Sequence, residues 1–197
     1  MIFNKQKNIP EEISKVRLVD WYSSLSDKDK VRIGRYLRDS DTSSALNFSL
    51  FVMRGANKEE NYSVTVIVGE NILKSRLKEM ERFDVLEEII PAYYSAKRYD
   101  DCMRCCEEGI GMIPGLMEKL KERNGGLLPE TIMCRNYTIN TLIVGMGDYD
   151  AADDALDKFC EMGLISEEDV AYRKQSHKIH KLQRTFDGIF GVKLKDQ

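Results

Sequence analysis

Four prolines serve a chain of 197 residues, and that scarcity excludes a fold of many short strands joined by tight turns. Also missing is a phosphate-cradling loop: Gly109, Gly111 and Gly115 fall within or beside a helical pattern with no lysine in place. No Gly-x-Ser-x-Gly occurs, and the two histidines, His177 and His180, have no nucleophile near them in sequence. Paired carboxylates such as Glu87-Glu88 and Glu107-Glu108 read as helix surface, so no catalytic residue is nominated and the chain is not expected to be an enzyme. A net charge of −3 and a pI near 5.6 leave no general excess of positive charge for nucleic acid, which is disfavoured as a partner. No run approaches the roughly 18 uninterrupted apolar residues of a membrane span, so no membrane partner is expected. The stretch Met1 to Ser14 has no apolar core of a signal peptide. Five cysteines, an odd number, fit a reducing compartment, and the expected location is cytoplasmic.

What is present is helical periodicity along nearly the whole length. Pro10 opens a helix to about Ser24, and Ser26 caps the next, with Asp29 three residues on as capping-box partner. A third helix runs from about Ser43 to Arg54. The segment YSVTVIVGENILKSRLKEMERF, Tyr62 to Phe83, has a β-branched core that would suit a buried strand. Helix is preferred, because apolar spacing continues through Val64, Ile67, Val68, Ile72 and Leu77 and no second strand exists to pair with it. Helices follow over Asp84 to Ala96 and Asp100 to about Met112, with Pro114 after the second. Beyond an extension ending at Gly125-Gly126 come Pro129 to Met146, Asp150 to Met162, and Ser166 to about Phe190.

Two hairpins align with one another. Tyr99-Asp100-Asp101-Cys102 and Tyr149-Asp150-Ala151-Ala152 each stand at the turn into a second helix, and Gly147 to Ala152 reads GDYDAA. This resembles the tetratricopeptide repeat, whose hairpin turn is similar to GDYDEA, and Pro114 stands where the family's terminal proline stands. The two turns are 50 residues apart, against about 34 in that family. Asn140 to Met162, with NTLI followed by Gly145, Ala155, Leu156, Phe159 and Met162, also resembles the pentatricopeptide repeat, where Asn140 would hold a base-reading position. Either resemblance implies an all-α, right-handed superhelix of helical hairpins. Residues 83–197 would form the hairpins and a C-terminal capping helix, and residues 1–82 an N-terminal helical region packed on them.

The cysteine-rich stretch KRYDDCMRCCEEGI then reads as core. Cys102, Cys105 and Cys106 lie at i, i+3 and i+4 on one helical face, and free cysteine is among the most buried residue types. No second ligand pair with zinc spacing stands near them, so neither metal nor cofactor is expected.

Charge is uneven. Asp148 to Asp169 holds nine acidic residues and one lysine, while Val170 to Thr185 holds five basic residues and no acidic one. Arg173, Lys174, Lys178, Lys181 and Arg184 would either pair with an antiparallel acidic helix or face outward to an acidic partner or phosphate backbone.

The resemblance implies a non-catalytic adaptor binding a peptide or partner protein on the face made by the first helix of each hairpin. Carried over, that pattern nominates Glu87, Pro91, Tyr94 and Ser95 from one hairpin and Tyr137, Thr141 and Val144 from the next. The lysine and asparagine set that grips a C-terminal carboxylate in some such domains is missing here, so an apolar helix or extended peptide suits the face better. The competing expectation is an RNA-binding helical repeat. A third is self-association into a homo-oligomer through the apolar N-terminal helix with Trp21 and Tyr22.

Overall fold

The computed structural model describes residues 9–190, and every described element is a helix. The segment with the VTVIV core is helical from Tyr62 to Ile72, which removes the strand alternative. It does not run on to Phe83: the chain leaves the helix at Leu73, and residues 79–83 already belong to the next helix, expected only from Asp84. The apolar residues of the VTVIV helix point in many directions because it is buried almost all round: Val64, Thr65, Val68 and Ile72 are all enclosed.

Three short helices lead the chain: α1 (Glu11–Lys15), α2 (Val19–Ser24) and α3 (Asp27–Gly34). Helix α1 was expected to run on to Ser24, but Arg17 takes a left-handed backbone (φ 60°) and breaks it. The Leu18 N–H then turns back to the Ile13 carbonyl at 3.1 Å. The expected cap of α3 is present, with Ser26 Oγ accepting from the Asp29 N–H at 3.1 Å.

Three hairpins follow. Helix α4 (Ala45–Lys58) pairs with α5 (Tyr62–Ile72), and α6 (Glu79–Ser95) with α7 (Tyr99–Arg123). Helix α8 (Met133–Asn140), continued by a π-helical segment (Thr141–Met146), pairs with α9 (Tyr149–Glu161). Each hairpin's first helix also packs on both helices of the hairpin before it: α6 on α4 and α5, α8 on α6 and α7. The last helix, α10 (Glu167–Phe190), packs along α9. One buried cluster runs from Ile13 to Val170 through all of these elements.

The three hairpin turns share a left-handed residue that only one of them supplies as glycine. Glu60 (φ 55°), Lys97 (φ 58°) and Gly147 (φ 71°) each take the left-handed conformation. A tyrosine two residues later, Tyr62, Tyr99 or Tyr149, starts the second helix in each case. The next N–H after the left-handed residue reaches back to close the helix end: Asn61 to the Ala56 carbonyl, Arg98 to Tyr93, Asp148 to Leu142, at 2.8–2.9 Å. In the first two turns the bond spans five residues; in the third it spans six, and the extra residue is absorbed by the π-helical segment.

Of the two interior prolines, Pro91 lies inside a helix as expected and Pro114 departs from expectation. Pro114 was expected to follow the end of a helix, yet it lies inside α7, a helix of 25 residues that runs on to Arg123, so it does not serve as the terminal proline of a repeat. Its ring is exposed, where a lost backbone bond is open to water. Pro91 lies inside α6, and in the turn it disturbs Asn57 Nδ2 donates to the Glu88 carbonyl at 2.8 Å. The helix expected from Pro129 starts only at Met133.

Candidate interaction surface

The residues nominated from the repeat resemblance divide between packed and open positions. Glu87 does not face outward: it caps the start of α8, accepting from the Met133 and Cys134 N–H groups at 2.6 and 2.8 Å. Helix α8 has no capping side chain of its own at Ile132, so α6 supplies one from a different hairpin. Burial raises the Glu87 pKa above the usual carboxylate value, partly offset by these backbone donors. Thr141 is fully buried, its hydroxyl 3.4 Å from the Cys102 thiol. Tyr94 sits edge-on between Tyr99 and Tyr137, with ring centroids 5.7 and 5.0 Å away. Pro91 is half-buried, leaving Ser95 and Val144 as the exposed members of the set. Interhelix packing takes up Glu87 and Thr141, while Pro91, Tyr94 and Tyr137 keep part of their surface open.

The cysteines are core, as expected. Cys102, Cys105 and Cys106 are buried together with Cys134, which sits under Gly109: a Cβ on that glycine would come within 3.0 Å of Cys134. Burial pushes the Cys105 thiol up to about 11 and raises that of Cys134 as well. Low-pKa thiolate chemistry is therefore not favoured at either.

The basic residues of α10 divide. Lys174 reaches Asp157 at 2.6 Å and Lys181 reaches Asp150 at 2.8 Å, while His177, buried between them, touches Asp153 at 2.6 Å. Three contacts at successive turns zip α10 onto the acidic face of α9. Lys178 and Arg184 remain exposed, and Arg173 is half-buried beside Arg135 and Asp169. Trp21 is half-buried and Tyr22 buried, both packed against the core.

A concave apolar surface lies instead where the second helices of neighbouring hairpins diverge. Between α7 and α9 runs a groove of about 420 Å³, floored by Thr138 of α8. Met103, Ile110 and Pro114 form one wall, Ala155, Phe159 and Met162 the other, with Glu107 and Lys158 at the rim. Gly111 opens onto the groove, and a Cβ there would meet nothing within 4 Å. Other concavities have charged walls, such as the one of about 550 Å³ with Asp41, Arg54 and Lys58. Sequence reasoning missed the groove because its two walls come from segments some 50 residues apart, and their divergence is tertiary. The flexible methionines were the available signal.

These features define an all-α protein of packed helical hairpins with an apolar groove between outer helices. Compared with protein-family models, curated proteins and solved structures, the chain matches none. Among the described residues no helix is long and apolar enough to cross a membrane.

Proposed function

We propose that the protein is a non-catalytic adaptor that holds an amphipathic helix of a partner protein in the groove between α7 and α9. The observation that carries this reading is the groove's chemistry: methionine, isoleucine, phenylalanine and proline walls with one charge of each sign at the rim. An apolar helix face fits such a surface through a few anchors at i, i+3, i+4 and i+7. Methionine walls adapt to the shape of the anchors. The RNA-binding alternative loses ground because Lys174 and Lys181, two of the five basic residues offered for phosphate, are engaged with α9.

Gly111 supplies the test. Partners cross-linked in native extract are identified by mass spectrometry, and the helical segment found is titrated against purified variants. Gly111→Trp fills the groove from a site with open space, so it should weaken binding at least tenfold while the fold stays intact. Gln at Arg173, Lys174, Lys178 and Lys181 should leave binding unchanged, as should rising salt. If the glutamine set abolishes binding and a labelled RNA pool binds at low salt only, the adaptor reading is wrong.

A further inference from the structure

Among the described residues, one buried cation lacks a counter-charge. Arg135 of α8 is 9% exposed, and its guanidinium meets only neutral acceptors. These are Asn136 Oδ1 at 3.1 Å and the Leu164 and Glu130 carbonyls, each at 2.6 Å. The carboxylates in its field are committed elsewhere: Glu87 accepts the Met133 and Cys134 N–H groups, and Asp169 accepts from Ser166 Oγ at 2.8 Å. Arg173 of α10 stands on the wall of the same cavity and makes no ion pair among the described residues. Burial first, and then the Arg173 charge, lowers the Arg135 pKa. Holding two like charges together, one of them buried, costs stability unless an anion joins them.

The shared cavity, of about 590 Å³, is lined by the segments that join α7 to α8 and α9 to α10. Leu128, Pro129, Leu164 and Ile165 give it apolar sides. We propose that it binds a small amphipathic acid, whose carboxylate bridges Arg135 and Arg173 and whose apolar group packs on these loop residues. Planar guanidinium groups match a carboxylate in shape as well as charge. Arg135 places one bond each from Nε, Nη1 and Nη2, so two of a guanidinium's five N–H groups are left for the ligand. Glu130 and Asp169 also stand on the wall, so the lining carries no net positive charge to hold a dianion such as phosphate. Direct bonds to one carboxylate and burial of its apolar group supply the affinity instead. A free acid and the end of a peptide present this same chemistry.

Nuclear magnetic resonance titration of the full, isotope-labelled chain tests this, with isovalerate as the free acid and N-acetyl-leucine as the peptide end. At least one should saturate with a dissociation constant below about 10 mM and shift the side-chain N–H signals of Arg135 and Arg173. Whichever binds about tenfold more tightly names the source. Isovaleramide and N-acetyl-leucinamide, which lack the charge, and inorganic phosphate, which lacks the apolar group, should bind about tenfold more weakly or worse. Arg173→Gln should weaken acid binding about tenfold and yet raise the urea midpoint measured without added acid, because it relieves the repulsion on Arg135. A residue with a merely structural role would lower that midpoint on replacement. Gly111→Trp should leave acid binding intact, so failure of the groove reading and failure of this one are separable. The proposal is overturned if neither acid binds, if the amides or phosphate bind as tightly as the acids, or if Arg173→Gln leaves the affinity unchanged.

Discussion

The ring of Tyr99 rests on the backbone of Gly145, so close that a Cβ on the glycine would stand 2.7 Å from Tyr99 Cγ. Tyr99 opens the second helix of one hairpin and Gly145 lies in the π-helical segment of the next, so the contact joins two hairpins. Helix preference and packing oppose each other at this position. Alanine would gain about 1 kcal/mol over glycine by intrinsic propensity, but overpacking a rigid ring costs about 1–3 kcal/mol. Gly145→Ala is therefore expected to destabilise, by about 1 kcal/mol with a ceiling near 2, in urea unfolding. In a Tyr99→Ala background the same change should be neutral or stabilising, because the ring is gone. An unchanged midpoint for Gly145→Ala alone would contradict the close contact.

Glu87 is a cap lent by one hairpin to the next. Glu87→Ala leaves two N–H groups of α8 without acceptors and should cost about 1–2 kcal/mol. Glu87→Gln keeps one acceptor and removes a half-buried charge, so it should cost less than the alanine variant. The pH dependence follows from the raised pKa. A carboxyl whose folded pKa exceeds its unfolded value holds its proton more tightly when folded. That contribution to stability is complete below the ordinary value of 4.5 and is lost as pH rises through the higher folded value. Wild type should accordingly gain on Glu87→Gln as pH falls from 7 toward 4.5, measured by denaturant titration at each pH. A pH-independent difference between the two proteins would show that the carboxyl is not desolvated.

The all-helical character and the cysteine core were legible in the sequence, and the pairing of acidic α9 with basic α10 was one of two readings it offered, because each depends on residues near one another along the chain. Helix ends at Arg17, Leu73 and Met133 were not legible. Cys102, Cys105 and Cys106 declare their shared face by spacing alone. The hairpin turns at Gly147 and before Tyr99 were legible, but only glycine announces a left-handed backbone; that Glu60 and Lys97 adopt it was hidden, since those residues do so only under tertiary constraint. Pro114 misled for the opposite reason. A proline ring at an exposed helix position forfeits a bond that water can replace, and the packing of Ile113 and Leu116 holds α7 together across it. The site was least legible. That Glu87 would cap α8, or that α7 and α9 would diverge around Met103 and Phe159, depends on how helices cross.

The four buried thiols and the half-buried Cys160 should separate cleanly under alkylation. A thiol-reactive probe needs both access and thiolate, and burial raises Cys105 to about 11. Cys160 is expected to react first in the native protein. Cys102, Cys105, Cys106 and Cys134 should react only at the rate of unfolding, as followed by peptide mass spectrometry. Rapid native labelling of Cys105 would show that this core opens locally.

Asn57 joins three helices through one amide. Its Nδ2 donates to the Glu88 carbonyl at 2.8 Å and its Oδ1 accepts from Thr65 Oγ1 at 2.7 Å, with Thr65 fully enclosed. Asn57→Ala removes both bonds and orphans the Thr65 hydroxyl, whose remaining contact, to the Met53 carbonyl, is a long 3.4 Å. The expected cost is about 2–3 kcal/mol. Asn57→Asp keeps the acceptor for Thr65 but loses the donor. It also places a second carboxylate beside Glu88, whose Oε2 lies 3.2 Å from the Asn57 amide nitrogen. It should therefore be at least as damaging as alanine at pH 7, and should recover on acidification as the introduced aspartate takes up a proton. Thr65→Val removes the buried hydroxyl, while the Asn57 amide keeps its bond to Glu88, so it should be the mildest of the three. Urea unfolding of the three variants at pH 7 and pH 5 gives the order directly, and a Thr65→Val protein less stable than Asn57→Ala would refute Asn57 as the shared node.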